Sequence, residues 1–408
     1  MSFSSAVSPH PPILSLPQLL LPLPRLSLRD TSRLLYLTSL AATRYHPNWS
    51  PIASGYLLLH STNYVIHTSI GTPPQPLLAS LDISSDTAWF PCISCLRCPS
   101  SPVSPFFSPS LSSSFHTVPC LSPLCSHLHT PLCSSSSCAF NLSYGSSSIF
   151  ATLSQDSLLL SPNPVSFHYT FGCVHSVTGV SMPPHGHLGL GRGPLSFLSQ
   201  THSIYSSVFS YCLPSFRSPS FSGTLRLGPS GQPRRIRKTR LLLNPHRPSL
   251  YYVNMTGIRV GRKRLPIQPS TLAFDPKTGA GTVFDSGTMF SRLVSPAYAA
   301  LRDEFRRRVK GRDVSSLGGF DTCYRGPAPT VPTITFEFEG MNMTLTEENT
   351  MIHGSSGGGG VACLAMAASP GNMNSVLNVI ASFQQQNHRV LFDVAKTLVG
   401  VSRELCTT

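Results

Sequence analysis

A mainly β chain folded as two lobes is what this sequence predicts, and three observations predict it. Thirty-eight prolines and 29 glycines, joined by many serine-rich stretches, break the chain into short apolar runs rather than long amphipathic periods. At 408 residues there is room for two cores of ordinary domain size. A short apolar run ending in an acidic loop also occurs twice, once in each half. The lobes are expected at residues 56–240 and 241–408, behind a leader-like region at 1–55. A site is expected in the cleft between them.

The two acidic loops are Leu81-Asp82-Ile83-Ser84-Ser85 and Phe284-Asp285-Ser286-Gly287-Thr288. Apolar runs, Leu77–Leu81 and Thr282–Phe284, precede the aspartates, and small hydroxylated residues follow them. That is the pattern of a buried strand delivering a carboxylate into a tight turn. Two carboxylates brought face to face cannot both ionise, so they share one proton, one acting as base while the other stays acid. This is the equipment for activating a water. An isolated Asp-Ser-Gly is an ordinary turn, so the reading depends on its surroundings.

Taken in order, residues 1 to about 50 show no clear periodicity, with one brief helical pattern at Asp30–Leu37. Ile13–Leu28 is apolar but broken by Pro17, Pro22 and Pro24 and has no basic residue ahead of it. It is neither a membrane span nor a clean signal peptide. Alternation over Tyr64–Ile70 predicts a strand, Gly71–Gln75 a turn, and the next strand ends in Asp82. Trp89 follows, and then a cysteine-rich segment, Cys92, Cys95, Cys98, Cys120, Cys125, Cys133 and Cys138. The Cys-x-x-Cys spacings suit zinc or disulfides; with no matching pair of ligands at finger distance, disulfides are the better reading. Ala139–Ser147 and Thr152–Leu160 predict a hairpin with Tyr144 and Gly145 near its tip. A strand is expected to begin at Phe171-Gly172-Cys173, and a short helix to span Pro194–Gln200. No Lys-Ser/Thr follows the glycines of His187–Gly193, so a nucleotide site is not expected there. His185 and His187 have no third metal ligand and read as loop histidines. The basic, proline-containing stretch 233–248 is taken as the lobe junction, with a strand from Tyr251. The best helix of the chain has Ser295 as N-cap, Pro296 at N1, an apolar stripe of Tyr298, Leu301, Phe305 and Val309, and a stop at Gly311. Strands Thr333–Phe336 and Val361–Leu364 follow, and Gly357–Gly360 reads as a flexible tip.

The order Asp82, Trp89, Tyr144-Gly145, Asp285 resembles the pepsin-type aspartyl proteases, from about Tyr64 to Cys406, and most closely their plant nepenthesin-like branch. The resemblance implies a bilobal pepsin-like acid protease fold with the active-site cleft between two β-lobes. It implies Asp82 and Asp285 as catalytic residues, Ser85, Ser286, Gly287 and Thr288 as their support, and a flap and substrate-binding group of Tyr144, Gly145 and Trp89. An apolar-Gly strand is implied behind each acidic loop. Disulfides are implied in the cysteine-rich insertion and between Cys323 and Cys363, with Cys173, Cys212 and Cys406 as further candidates. Residues 379–387 and 390–393 are similar to the last motif of the plant branch, with Ala381 where the wider family has glycine. Ile83 stands where the family has a threonine whose hydroxyl bonds across to the opposite loop, and an isoleucine cannot make that bond.

The net charge of +14 admits polyanionic partners. Its runs, Arg234–Lys238, Arg262–Arg264 and Arg306–Arg308, have no interleaved aromatics and read as solvated faces rather than a nucleic-acid site. Twelve cysteines, and Asn-x-Ser/Thr sequons at Asn48, Asn141, Asn254 and Asn342, point to an oxidising secretory compartment or the extracellular apoplast. The expectation is a monomeric acid endopeptidase acting on proteins and peptides, with no cofactor, metal, nucleic acid or membrane span. The alternative is a catalytically weak protease homologue acting as a binding or inhibitor protein.

Overall fold

In the computed structural model, residues 48–144, 146–160, 163–356, 359–371 and 376–406 are described. The expected helix at Asp30–Leu37, Gly145 and the first half of the Gly357–Gly360 tip lie outside them. The architecture is mainly β, with one large sheet system and two four-stranded sheets. Among the described residues no helix is long and apolar enough to cross a membrane.

One strand arrangement occurs twice. In the first half the Gln75–Asp82 strand, buried over its last six residues, lies parallel to Gly186–Gly189, with Asp82 opposite Gly189. The Trp89–Leu96 strand runs parallel to Asn163–Thr178 and meets the crossing strand at His187. In the second half Gly281–Phe284 lies parallel to Leu377–Ile380, and Ser291–Leu293 runs parallel to Met366–Ala368 and meets Leu377–Ile380 at Val379. Continuous burial explains why these strands read as unbroken apolar runs rather than alternating ones. Each acidic loop thus leaves a strand hydrogen-bonded on both sides, a rigid base for a carboxylate.

An antiparallel ladder joins the halves. Trp49–Ser54, Gly223–Leu227, Val208–Cys212, His388–Asp393, Leu398–Arg403 and Arg237–Leu242 pair in that order. Two of these strands fall where the sequence suggested leader-like and linker segments, because tertiary pairing outweighs the local polar and proline content. Phe392 stacks on Phe209 with ring centroids 4.8 Å apart and packs on Tyr251 at 4.5 Å, filling the layer beneath the ladder. The Cys212–Cys406 disulfide ties the ladder to the C-terminal segment.

All twelve cysteines are paired: Cys92–Cys173, Cys95–Cys98, Cys120–Cys133, Cys125–Cys138, Cys212–Cys406 and Cys323–Cys363. The predicted hairpin is present, with Ser137–Tyr144 pairing with Ser147–Leu160 and Tyr144 opposite Ser147. Its return strand starts five residues before the expected Thr152, and the strand expected from Phe171 begins at Asn163. The helix spans Ser295–Arg308, so Ser295 is its first residue and Val294 the cap, without a side-chain capping bond. Its buried face is Ala297, Tyr298, Leu301, Glu304 and Phe305.

Candidate active site

Asp82 and Asp285 are delivered by the two equivalent loops and are both 8% exposed. The loops touch. Ser286 Oγ accepts a hydrogen bond from the Ile83 amide at 3.2 Å and donates to the Leu81 carbonyl at 2.9 Å. A Cβ built on Gly287 would lie 3.2 Å from Asp82 Cγ and 3.3 Å from both of its oxygens, so this glycine is what lets one loop close over the other's carboxyl. Ile83 is fully buried and returns no hydroxyl, so the side-chain tie across the loops comes from Ser286.

Each carboxyl is held within its own loop. Asp82 Oδ1 accepts from the Ser84 amide and the Ser84 hydroxyl, both at 2.7 Å. Asp285 accepts from the Gly287 amide at 2.9 Å and the Thr288 amide at 3.0 Å. Burial is the largest influence on both and raises both pKa values; the Asp82 charge adds to the effect at Asp285, which is pushed up to about 6. A pair with these properties titrates as a unit and keeps one shared proton into the weakly acidic range.

The crossing strands support the loops. Leu190 N donates to the Asp82 carbonyl at 2.7 Å and Gly191 N to the Ser85 carbonyl at 2.8 Å. Asp285 N donates to the Ile380 carbonyl at 3.0 Å and Ser382 N to the Thr288 carbonyl at 2.9 Å. Ala381, where glycine was the family expectation, is buried and donates its amide to Ser291 Oγ at 2.9 Å.

Several supporting residues were missed from sequence. Gln385 Nε2 donates to the Asp285 and Ile380 carbonyls at 2.9 and 2.7 Å, and its carbonyl accepts from the Tyr211 hydroxyl. Asp86 accepts from the Gly193 amide at 2.8 Å and from the Ser249 hydroxyl. Most consequentially, His187 is not a loop histidine, while His185 lies in the bend just before the crossing strand. His185 is completely buried, and His187, 2% exposed, lies on the crossing strand 3.5 Å from Asp82 Oδ2. The clue was its place directly before Leu188-Gly189, inside the segment expected to cross behind the acidic loop.

Trp89 is fully buried and stacks on His187, ring centroids 5.2 Å apart and planes nearly parallel. Tyr144 ends the first strand of the hairpin. Ser85 is hydrogen-bonded to His187. Among the described residues no group of three or more His, Cys, Asp or Glu is arranged to hold a metal ion.

Two facing carboxyls on duplicated loops, tied by a hydroxyl and set in a mainly β fold, define a pepsin-like aspartic peptidase architecture. The comparisons agree. Family models described as Xylanase inhibitor N-terminal and Xylanase inhibitor C-terminal match residues 64–229 and 250–403. The chain is 47% identical to Aspartyl protease AED3 of Arabidopsis thaliana, covering 92% of this chain and 84% of that protein. It is 46% identical to Aspartyl protease 25 of Oryza sativa subsp. japonica, covering 92% and 89%, and 34% identical to aspartic proteinase nepenthesin-1 of Nepenthes gracilis, covering 84% and 78%. The crystal structure of edgp superposes with a TM-score of 0.72 at 19% identity, covering 88% of this chain and 95% of that one. Basic 7S globulin from soybean gives 0.68 at 19%, covering 87% and 96%. The chain belongs to the plant aspartyl protease family.

Proposed function

We propose that the protein is an acid endopeptidase in which Asp82 and Asp285 together activate a water against a peptide carbonyl. The observation that carries this is the contact of the two loops: Gly287 closes over the Asp82 carboxyl, and Ser286 ties the loops together. The ionised member of the pair draws a proton from the water as it attacks. The protonated member hydrogen-bonds the carbonyl oxygen and stabilises the tetrahedral intermediate, and a proton then passes to the leaving nitrogen. No covalent intermediate is needed. Both pKa values are raised, so the singly protonated pair exists at acidic pH and is lost as pH rises through the value of about 6 at Asp285.

Ser85, Thr288 and Gly287 hold the carboxyls, while Tyr144 and Gly145 belong to a flap over the substrate, with Trp89 packed beneath it. The working division is two lobes, 56–240 and 241–408. Six disulfides support an oxidising site of action, secretory or apoplastic. Asn141 and Asn342 are exposed and suit glycosylation. The protein acts as a monomer on protein substrates.

A second reading, a protease homologue that binds and inhibits another enzyme, is favoured by Ile83 and by the inhibitor description of the matching family models. Titration with pepstatin, whose hydroxyl mimics the tetrahedral intermediate, separates them. Tight binding at pH 4.5 that disappears in Asp285→Asn supports the peptidase; no binding by the folded, oxidised protein overturns it.

A further inference from the structure

The two halves build their acidic loops on equivalent strands, but not with equivalent residues. On the second side the crossing-strand position is Val379, opposite Val283, an apolar pair. On the first side the same register puts His187 opposite Ser80. A buried histidine in place of valine needs partners, and it has them. Its Nδ1 lies 3.2 Å from Ser80 Oγ; its Nε2 is hydrogen-bonded to Ser85 Oγ and lies 3.5 Å from Asp82 Oδ2. The Trp89 ring covers one face. Ser80 Oγ also donates to the Gly186 carbonyl at 3.3 Å.

Proton direction follows from counting donors. The Ser85 hydroxyl is hydrogen-bonded to Asp82 and lowers its pKa, so its single proton is committed to the carboxylate. Ser85 therefore accepts from His187, which places the imidazole proton on Nε2. Nδ1 is then an acceptor, and the single Ser80 proton is shared between it at 3.2 Å and the Gly186 carbonyl at 3.3 Å. His187 Nε2 and the Ser85 hydroxyl thus both donate in the direction of Asp82, with Ser80 behind them dividing its proton between Nδ1 and the Gly186 carbonyl.

We propose that His187 is a positioning residue for the reaction: a relay from Ser80 through His187 and Ser85 holds Asp82 from behind and replaces the cross-loop hydroxyl that Ile83 lacks. This rests on the peptidase reading. Ser286 ties the loops from one side only, and Ser84 holds the Asp82 carboxyl through Oδ1; the relay lies on the Oδ2 side and restrains the same carboxyl from the opposite direction. Burial keeps His187 neutral by lowering its pKa to about 4, so the relay is intact where the carboxyl pair is singly protonated. The titratable groups around it are Asp82 in contact, Asp86 in the same loop, His185 on its own strand side, and Asp285 acting through Asp82.

The experiment measures kcat and KM against pH from 3 to 7 for the oxidised, processed protein and for His187→Leu, His187→Gln, Ser80→Ala and His187→Leu/Ile83→Thr. Leucine fills the site with an apolar side chain, as valine does on the other side. His187→Leu should lower kcat about ten- to a hundred-fold with KM changed less than about two-fold. The acid limb should move up in pH, because Ser85, no longer held by His187, donates less firmly to the Asp82 carboxylate. Glutamine, which can place an N–H near Nε2, should recover part of the rate, Ser80→Ala should move the limb in the same direction, and the added threonine should restore much of the loss. A His187→Leu profile superimposable on the unmodified one, or a rate loss with no movement of the limb and no rescue by glutamine or threonine, overturns the proposal.

Should leucine prevent folding, Ser80→Ala and glutamine carry the same test. The 15N shifts of His187 are read in parallel, independently of activity. A neutral Nε2–H tautomer at pH 5–7 that is lost in Ser85→Ala supports the relay, and an Nδ1–H tautomer refutes it. A protein without peptidase activity but with the Nε2–H tautomer would sink the enzyme reading while leaving the relay in place.

Discussion

Asp285→Asn should make the protein more stable at neutral pH. In the fold the Asp285 pKa is pushed from 3.8 to about 6 by burial and by the charge of Asp82. A carboxyl whose folded pKa lies above its unfolded one contributes stability below the unfolded value and loses it as pH rises through the folded value, here between about pH 4 and 6. At 1.36 kcal/mol per unit, ionising Asp285 inside the fold at pH 7.5 opposes folding by about 3 kcal/mol. Asparagine removes that charge and its repulsion of Asp82. It also offers one oxygen where the carboxylate offers two to the Gly287 and Thr288 amides, so one hydrogen bond of about 1 kcal/mol is lost. The net expectation is a gain of about 2 kcal/mol at pH 7.5 and agreement within about 1 kcal/mol at pH 3.5. Guanidinium denaturation at the two pH values, with disulfides intact, reads both numbers. A variant no more stable than the parent at pH 7.5 would refute the reasoning, because the carboxyls would then not be held against their own ionisation.

Ile83→Thr should raise kcat severalfold by adding a second cross-loop hydroxyl, with little change in stability because about 1 kcal/mol of lost packing offsets the new hydrogen bond; steady-state kinetics and a melting curve check it. Gly287→Ala should abolish most activity while the protein still folds, since the new methyl would meet the Asp82 carboxyl at about 3.2 Å; near-UV circular dichroism and peptide hydrolysis separate the two effects. Replacing Cys212 and Cys406 together by alanine should lower stability by about 2–5 kcal/mol, because that bridge closes a loop of 194 residues; the denaturation midpoint reports it.

The carboxyl pair was legible because each aspartate ends an apolar run and enters a turn of small residues, a local pattern that survives without knowledge of the partner. The hairpin ending at Tyr144 and the Cys323–Cys363 bridge were legible through the family resemblance. What local pattern could not carry were contacts made by crossing strands. His187 is separated from Asp82 by about a hundred residues, and a histidine between glycine and leucine looks like a loop until a parallel strand covers it. Gln385 reads as one of three successive glutamines; only the turn at Ser382–Gln385 aims its amide at the Asp285 carbonyl. Arg237–Leu242 looked like a linker because its charges face outward, while pairing with Leu398–Arg403 makes it a strand.

The carboxyl pair is tested most directly by hydrolysis of a denatured protein between pH 3 and 7 by the oxidised, processed chain and by its Asp82→Asn and Asp285→Asn variants. Acid-optimal cleavage by the parent, lost in both variants while each keeps its cooperative unfolding, is the predicted result. Cleavage that survives either substitution, or a folded parent that cleaves nothing at any pH in the range, would contradict it.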